Sequence, residues 1–173
     1  DSLNADSLAL LRPARGFFRY DEDNYQSRFT GRDTFTYYYN GKNNRCISAE
    51  GEGRELACED YSLPTDTVLS VKDYATAETV LGYPCRILEM QKSGSWVKYY
   101  YATGLHIAPA TYEKHRAYNW DAYGTKADGG LILKLEHRFR SFTMKGEATR
   151  VKSETAGFRA LGINDSLFSS VCK

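Results

Sequence analysis

From Leu131 to Phe139 the chain alternates: Leu131, Leu133, Leu135, His137 and Phe139 fall on one side of an extended strand, Lys134, Glu136 and Arg138 on the other. Phe142 to Val151 repeats the pattern, with Phe142, Met144 and Ala148 opposite Lys145, Glu147 and Thr149. Strands of this kind belong to an antiparallel sheet with one covered face and one wet face. Upstream, Thr79-Val-Leu-Gly-Tyr-Pro-Cys-Arg-Ile-Leu-Glu-Met90 and Trp96-Val-Lys-Tyr-Tyr-Tyr101 flank a Ser-Gly-Ser turn. Both runs are rich in aromatic and β-branched residues, which predicts a central hairpin. Phe35-Thr-Tyr-Tyr-Tyr39 predicts a strand stopped by the turn dipeptide Asn40-Gly41. Lys42 to Glu59 reads as a hairpin around Gly51-Glu-Gly53, its arms carrying Cys46-Ile47 and Leu56 to Cys58. A loop through Pro64 then leads into an extended run, Val68 to Val71.

Helical signals are few. Leu3, Leu8 and Leu11 lie near helical spacing before Pro13, so residues 1–15 are either a short helix or a frayed terminus. Residues 16–32 set aromatics among charges without a clean period and predict an irregular segment or a first strand. A short helix is expected near Asn119 to Tyr123, capped by Asn119. In the tail, Leu161 and Phe168 are expected to tuck against the core. There is no internal repeat, and residues 1–173 read as one domain.

Charge and composition narrow the function classes. A net charge of +1 is too small for a general nucleic-acid surface. No run approaches the length of a membrane-spanning helix. The chain opens on Asp1 with no leader pattern, as expected of a mature or trimmed chain. Fourteen tyrosines are the outlier, and they suit half-buried sheet faces and wet-edged contact surfaces.

Nothing in the sequence assembles a reaction. His106, His115 and His137 stand outside any zinc-binding spacing, and His137 falls on the apolar face of its strand. No serine sits in a nucleophile elbow, and the carboxylates, Glu113, Asp121 and Glu136 among them, are scattered. Gly51-Glu-Gly53 lacks the third glycine and following helix of a phosphate loop. Asn164-Asp-Ser166 matches a glycosylation triplet. No catalytic residue, metal ligand or cofactor is expected. Four cysteines allow three pairings. Cys46–Cys58 would staple the local hairpin and Cys85–Cys172 would pin the tail, in an oxidising compartment. The alternative is four buried thiols. Cys85, mid-strand, reads as structural rather than as a nucleophile.

Aromatic interleaving is the suggestive feature. Tyr37 to Tyr39 and Trp96 to Tyr101 place rings on both faces of their strands. Either protein covers both faces, or one face holds an apolar ligand.

Thr79-Val-Leu-Gly-Tyr-Pro-Cys85, Tyr99-Tyr-Tyr101, Asn119-Trp-Asp-Ala-Tyr123 and Gly129-Gly-Leu-Ile-Leu-Lys-Leu-Glu136 resemble a family of Bacteroidetes-type envelope proteins. That family carries a G-Y-x-C strand and a later G-G-L-I-L strand and lies near the GLPGLI group, whose Pro is absent here. The resemblance implies an exported protein of the periplasm or cell envelope with no assigned activity. It implies an α+β, mainly antiparallel β fold: a strongly curved sheet, an incomplete barrel like the lipoprotein carriers, with short helices on its concave side. The function expected from fold analogy is non-enzymatic binding of a lipid or other apolar ligand. The residues expected to line the site are Trp96, Tyr99, Tyr101, Leu133, Leu135, Phe142 and Met144. The alternative is a structural or interaction module with an envelope protein partner and no small ligand.

Overall fold

The structure is a computed structural model that describes residues 14–20, 24–51, 55–107, 112–153 and 165–172. It is mainly antiparallel β, with short helices. One five-stranded sheet runs β1 (Arg15–Tyr20), β2 (Asn24–Thr30), β3 (Thr34–Asn40), β4 (Arg45–Glu50) and β5 (Glu55–Asp60). The other runs β6 (Val68–Val80), β7 (Tyr83–Lys92), β8 (Ser95–His106), β9 (Gly130–Phe139) and β10 (Thr143–Glu147). Each strand pairs with its sequence neighbour, so both sheets are meanders with two edges, and neither closes on itself. Helix α1 (Trp120–Ala127), preceded by a 3-10 turn at Ala117–Asn119, and helix α2 (Asp165–Val171) complete the described elements. The chain divides into two compact units: Asp1–Tyr61 with Ala156–Lys173, and Ser62–Thr155. The second is thus an insertion within the first. The expectations for residues 1–12, Leu161 and the Asn164 triplet fall outside or largely outside the described residues.

In the first unit the pleat sorts the side chains. Tyr25, Tyr39 and Cys46 pair across β2, β3 and β4 and so share one face. Tyr25 stacks on Tyr39 with centroids 5.0 Å apart, and Tyr39 stacks on Tyr61 at 6.0 Å. Tyr38, Ile47 and Cys58 occupy the opposite face, where Ile47 is buried with Phe168 of α2. Phe168 therefore tucks in as its sequence suggests.

The same pleat corrects the cysteine pairing. The disulfide joins Cys58 to Cys172, with Cα atoms 5.2 Å apart, while Cys46 and Cys85 are buried free thiols. Cys46 lies opposite Glu59 in the β4–β5 ladder and Cys58 lies opposite Ile47. Their side chains leave opposite faces of one hairpin, so proximity in sequence cannot become a bond. Cys172 is taken by Cys58, and Cys85 packs instead with Val80, Ala102 and Leu133 in the second unit.

In the second unit the central hairpin begins later than expected. Leu81 and Gly82 have φ of 54° and 80° and form the tight turn between β6 and β7, so Thr79 and Val80 end the thirteen-residue β6. On β7, Leu88, Met90 and Lys92 alternate onto the face that packs beneath α1, where Val97, Tyr99 and Tyr101 of β8 join them. Burying side chains such as Leu88, Met90 and Val97 contributes about 1.5–3 kcal/mol each.

The alternation on β9 is broken by a bulge. Tyr100 pairs with Lys134 but Tyr101 pairs with Ile132, so Leu133 is the extra residue. Beyond the bulge Leu135 faces α1; before it Ile132 does, while Leu131 and Leu133 pack with Cys85 and Val80. The expected single row of Leu131, Leu133 and Leu135 is therefore split between two cores.

Helix α1 is closed by Asp128 and Gly129, with φ of 48° and 67°, after which the chain enters β9. Gly130 is required there, because a Cβ would collide with the Tyr101 ring and meet the carbonyls of Ala102 and Ala127, each at 3.1 Å. The Tyr123 hydroxyl donates to the Gly130 carbonyl and ties the helix to the strand.

Candidate functional site

The seven residues expected to line a site do not converge. Tyr99 and Tyr101 lie under α1, where Tyr123 meets Tyr99 edge-on at 5.1 Å and Trp120 at 5.5 Å. Tyr112 stacks on Trp120 at 5.4 Å. Leu135 packs against this cluster, and Met144, paired with His137 on the neighbouring strand, shares its face. Leu133 belongs to the separate core around Cys85. Phe142 precedes β10 and stacks on Phe139 at 4.5 Å. Trp96 lies on the opposite face of the sheet, in register with Gln91 and Arg138. Protein rings thus occupy the space between helix and sheet.

That opposite face carries a different chemistry. The Lys98 ammonium lies 5.2 Å and the Arg138 guanidinium 5.0 Å from the Trp96 ring, and the Lys134 ammonium sits 4.7 Å from the Tyr100 ring. Carboxylates interleave with these cations. Glu89 accepts from the Tyr74 hydroxyl at 2.9 Å and pairs with Lys98 at 3.9 Å. Glu136 pairs with Arg138 at 3.4 Å and Lys145 at 3.9 Å, and Lys134 pairs with Glu78. The hydrogen bonds from Trp96 and Tyr74, with Lys98 and Lys72 nearby, outweigh partial burial and hold the Glu89 carboxyl below its ordinary range. The hydrogen bond from Lys134 to Glu78 raises the Lys134 ammonium.

A third feature has little signal in the sequence: a polar corner where the loop after Tyr61 meets the entry to α1. Tyr118 and Asn119 are consecutive left-handed residues, with φ of 58° and 62°. Neither is glycine, and the conformation persists because the corner over-determines it. The Tyr118 N–H donates to Thr65 Oγ1 at 2.9 Å, and Asn119 Nδ2 donates to the Asp66 carbonyl at 3.0 Å. The Lys92 ammonium donates to the Tyr118 carbonyl at 3.0 Å. Asn119 therefore clasps the loop rather than capping α1, for which it makes no side-chain hydrogen bond. Its Oδ1 is buried with no partner among the described residues.

Burial dominates the titration of this corner. It lowers the Lys92 ammonium, pushes buried His115 down to about 3, and pushes His137, beside Lys92, down to about 4. Asp66 is lowered, chiefly by the hydrogen bond from Ser93. Ser95 Oγ lies 3.0 Å from His137 Nε2, the spacing of a base and a nucleophile. Among the described residues, however, no carboxylate hydrogen-bonds the other ring nitrogen to orient it. The arrangement is a clasp. Lys92 is the one member whose position was legible, since it continues the buried row of Leu88 and Met90.

Two further groups stand apart. Tyr101 Oη donates to Asp73 at 3.0 Å and accepts from Arg86 Nε at 3.3 Å, so the rim of the helix face is closed by a polar triad. His106 faces the carbonyls of Asp128 and Thr103 at 3.0 and 2.7 Å, which favours its charged form. Among the described residues no group of three or more His, Cys, Asp or Glu side chains is arranged to hold a metal ion, and no helix is long and apolar enough to cross a membrane. In comparisons with known proteins, no family model, curated protein or solved structure matches the chain.

Proposed function

We propose that this chain is a non-catalytic, exported protein of the cell envelope that acts by contact, presenting the outer face of the second sheet to a protein partner. The observation that carries the reading is the pairing of rings and cations on that face: Trp96 between Lys98 and Arg138, and Tyr100 beneath Lys134. Aromatic residues and arginine are enriched in the energetically dominant parts of protein interfaces. Here they are held in place by ion pairs before any partner arrives. The face alternates cations with Glu78, Glu89, Glu136 and Glu147, which suits a polar protein surface of mixed charge better than a polyanion. The Cys58–Cys172 disulfide supports export, since such bonds persist in oxidising compartments.

Carriage of an apolar ligand is the weaker reading. Such a ligand would have to displace Tyr99, Tyr101, Trp120 and Tyr123 from one another. Kinship with the envelope family of the G-Y-x-C and G-G-L-I-L strands belongs to the same proposal, as does a strongly curved, half-barrel form of the sheet. Support for the kinship is that Gly82 leads into β7 and Gly129 into β9.

Photo-crosslinking residues placed at positions 98 and 145, in the living source cell, test the proposal. One discrete protein adduct is expected from both positions and is lost in a Trp96→Ala/Tyr100→Ala variant that keeps its fold by circular dichroism. Absence of adducts, or a stoichiometric lipid in an organic extract of the purified protein, would overturn it.

A further inference from the structure

In the first unit, the step that leaves β3 is Asn40-Gly41, the one Asn-Gly dipeptide in the chain. Such a step carries its own chemistry. The glycine nitrogen, with no Cβ beside it, can attack the asparagine side-chain carbonyl, which makes asparagine before glycine thermolabile. Here the fold restrains both reacting groups. Asn40 is buried, at 7% exposure. Its Nδ2 donates to Asp165 of α2 at 3.3 Å, and its Oδ1 accepts from the Lys42 N–H at 3.0 Å. The attacking nitrogen is engaged as well, since the Gly41 N–H donates to Asn24 Oδ1 at 3.3 Å. Asn24 lies opposite Asn40 in the β2–β3 ladder, so that bond and the Lys42 bond belong to the sheet and its turn. The Asp165 bond does not. It comes from α2, which docks Phe168 on Ile47 and is tied down by Cys58–Cys172. Asn40, Asp165, Phe168 and Cys172 line one cleft.

We infer that Asn40 is a deamidation site gated by α2: closed while the Cys58–Cys172 bond holds the helix down, and open once that bond is reduced. With α2 away, Asn40 loses its tether to Asp165 and its cover, while the Lys42 N–H still polarises its carbonyl. The Gly41 nitrogen then bonds to Asn40 Cγ, the Cγ–Nδ2 bond breaks, and the Gly41 proton leaves with Nδ2 as ammonia. Water opens the resulting succinimide at either carbonyl, giving aspartate or isoaspartate at position 40. Either product carries a carboxylate in place of the amide that donated to Asp165. Two like charges then meet, and the helix is discouraged from docking again. Isoaspartate also lengthens the backbone where Asn40 pairs with Arg45 in the β3–β4 ladder. Modification thus makes the release of α2 permanent.

The test is incubation of the whole protein at mildly alkaline pH, oxidised or with a phosphine reductant, beside the urea-unfolded chain. Peptide mass spectrometry then follows residue 40. The reaction runs through the open form, so its rate follows the open population. Reduction is expected to raise the loss of Asn40 about a hundredfold, capped at the rate of the unfolded chain, which is the population shift that losing the tie supplies. In the oxidised protein, Asp165→Ala is expected to raise it about fivefold, the worth of one hydrogen bond, and Asp165→Asn, which keeps an acceptor, to leave it near the parent's. Amides of β3 and β4 are expected to stay protected from exchange throughout the reduced incubation. Loss of that protection would make the sheet, not the helix, the guard and would overturn the inference. So would Asn40 loss in the oxidised parent at the unfolded-chain rate, no acceleration on reduction, or an Asp165→Ala rate equal to the parent's.

Discussion

Replacing Cys58 and Cys172 by serine removes the one covalent tie between the two chain segments that build the first unit. The bond spans 114 residues, and closing a loop of that length is worth about 5 kcal/mol in the chain-entropy account when the whole chain unfolds. If the inserted unit stays folded, the free chain shrinks to roughly 20 residues and the value falls to about 3 kcal/mol. The buried part of the remaining anchor is Phe168 on Ile47, worth about 1.5–3 kcal/mol, with Leu167 and Val171 beside it and Asn40 donating to Asp165, under a seven-residue helix too short to persist alone. Both tryptophans, Trp96 and Trp120, lie in the inserted unit. Their fluorescence therefore reports on that unit, whereas far-ultraviolet circular dichroism reports on both. In urea, the double variant is expected to lower the midpoint of the first unit's dichroism transition by about 3 M, taking a slope of about 1 kcal/mol per M. The tryptophan transition is expected to stay within error of the parent. A tryptophan midpoint that moves in step with the dichroism would refute the separation of the two units on which the smaller value rests. No movement of either would refute the tie itself.

Gly130→Ala sets a Cβ against the Tyr101 ring and two carbonyls, and the overpacking is expected to cost about 1–3 kcal/mol, read as a lower tryptophan unfolding midpoint; an unchanged midpoint would refute the close approach. For pH, His115 and His137 protonate less readily folded than unfolded, so their contribution is whole above about pH 6.5 and falls as pH drops toward 4. The expected loss approaches about 1.4 kcal/mol per pH unit for buried His115 and is smaller for half-buried His137, and a flat stability between pH 7 and 5 would contradict it. Exposed His106, raised by its two carbonyl partners, acts in the other sense and loses its contribution as pH rises through its folded value. Burial pushes the Cys46 thiol up to about 12 and also raises Cys85. Iodoacetamide at pH 8 is therefore expected to label no cysteine in the native protein, Cys46 and Cys85 after denaturation, and all of them after reduction. Labelling of the native protein would sink that reading.

Much of the strand content was legible because pleated strands write their period into the chain. Lys134, Glu136 and Arg138 do share the wet face, and Phe168 does tuck in. What failed has a common cause: a single backbone residue changes the parity of everything beyond it. The bulge at Leu133 leaves no mark in Leu131 to Leu135, since every side chain there is apolar apart from Lys134. Gly82 marks the start of β7 in the sequence, but the Leu81-Gly82 turn is weakly signalled as a hairpin because Leu is an unusual partner for glycine in a two-residue turn. The polar corner was hidden for another reason. Asp66, Lys92 and Asn119 come from separate stretches and meet only once the sheet is built. Trp96 lies on the face away from α1, a placement hidden in the sequence because its strand carries rings on both sides and nothing there says which side α1 covers.

The pleat of β4 and β5 also bears on the order in which the chain can oxidise. Cys46 and Cys58 are the first two cysteines in the chain and lie far from Cys172 in sequence, so they are the pair that early oxidation of a growing chain would join. Once the hairpin forms, Cys46 turns away from Cys58, and the premature bond is barred while Cys58 waits for the C-terminal helix. A residue-by-residue alternation thus separates two thiols that the sequence sets close together. Loosening that hairpin, rather than altering any cysteine, is the change expected to yield mispaired protein on oxidative refolding.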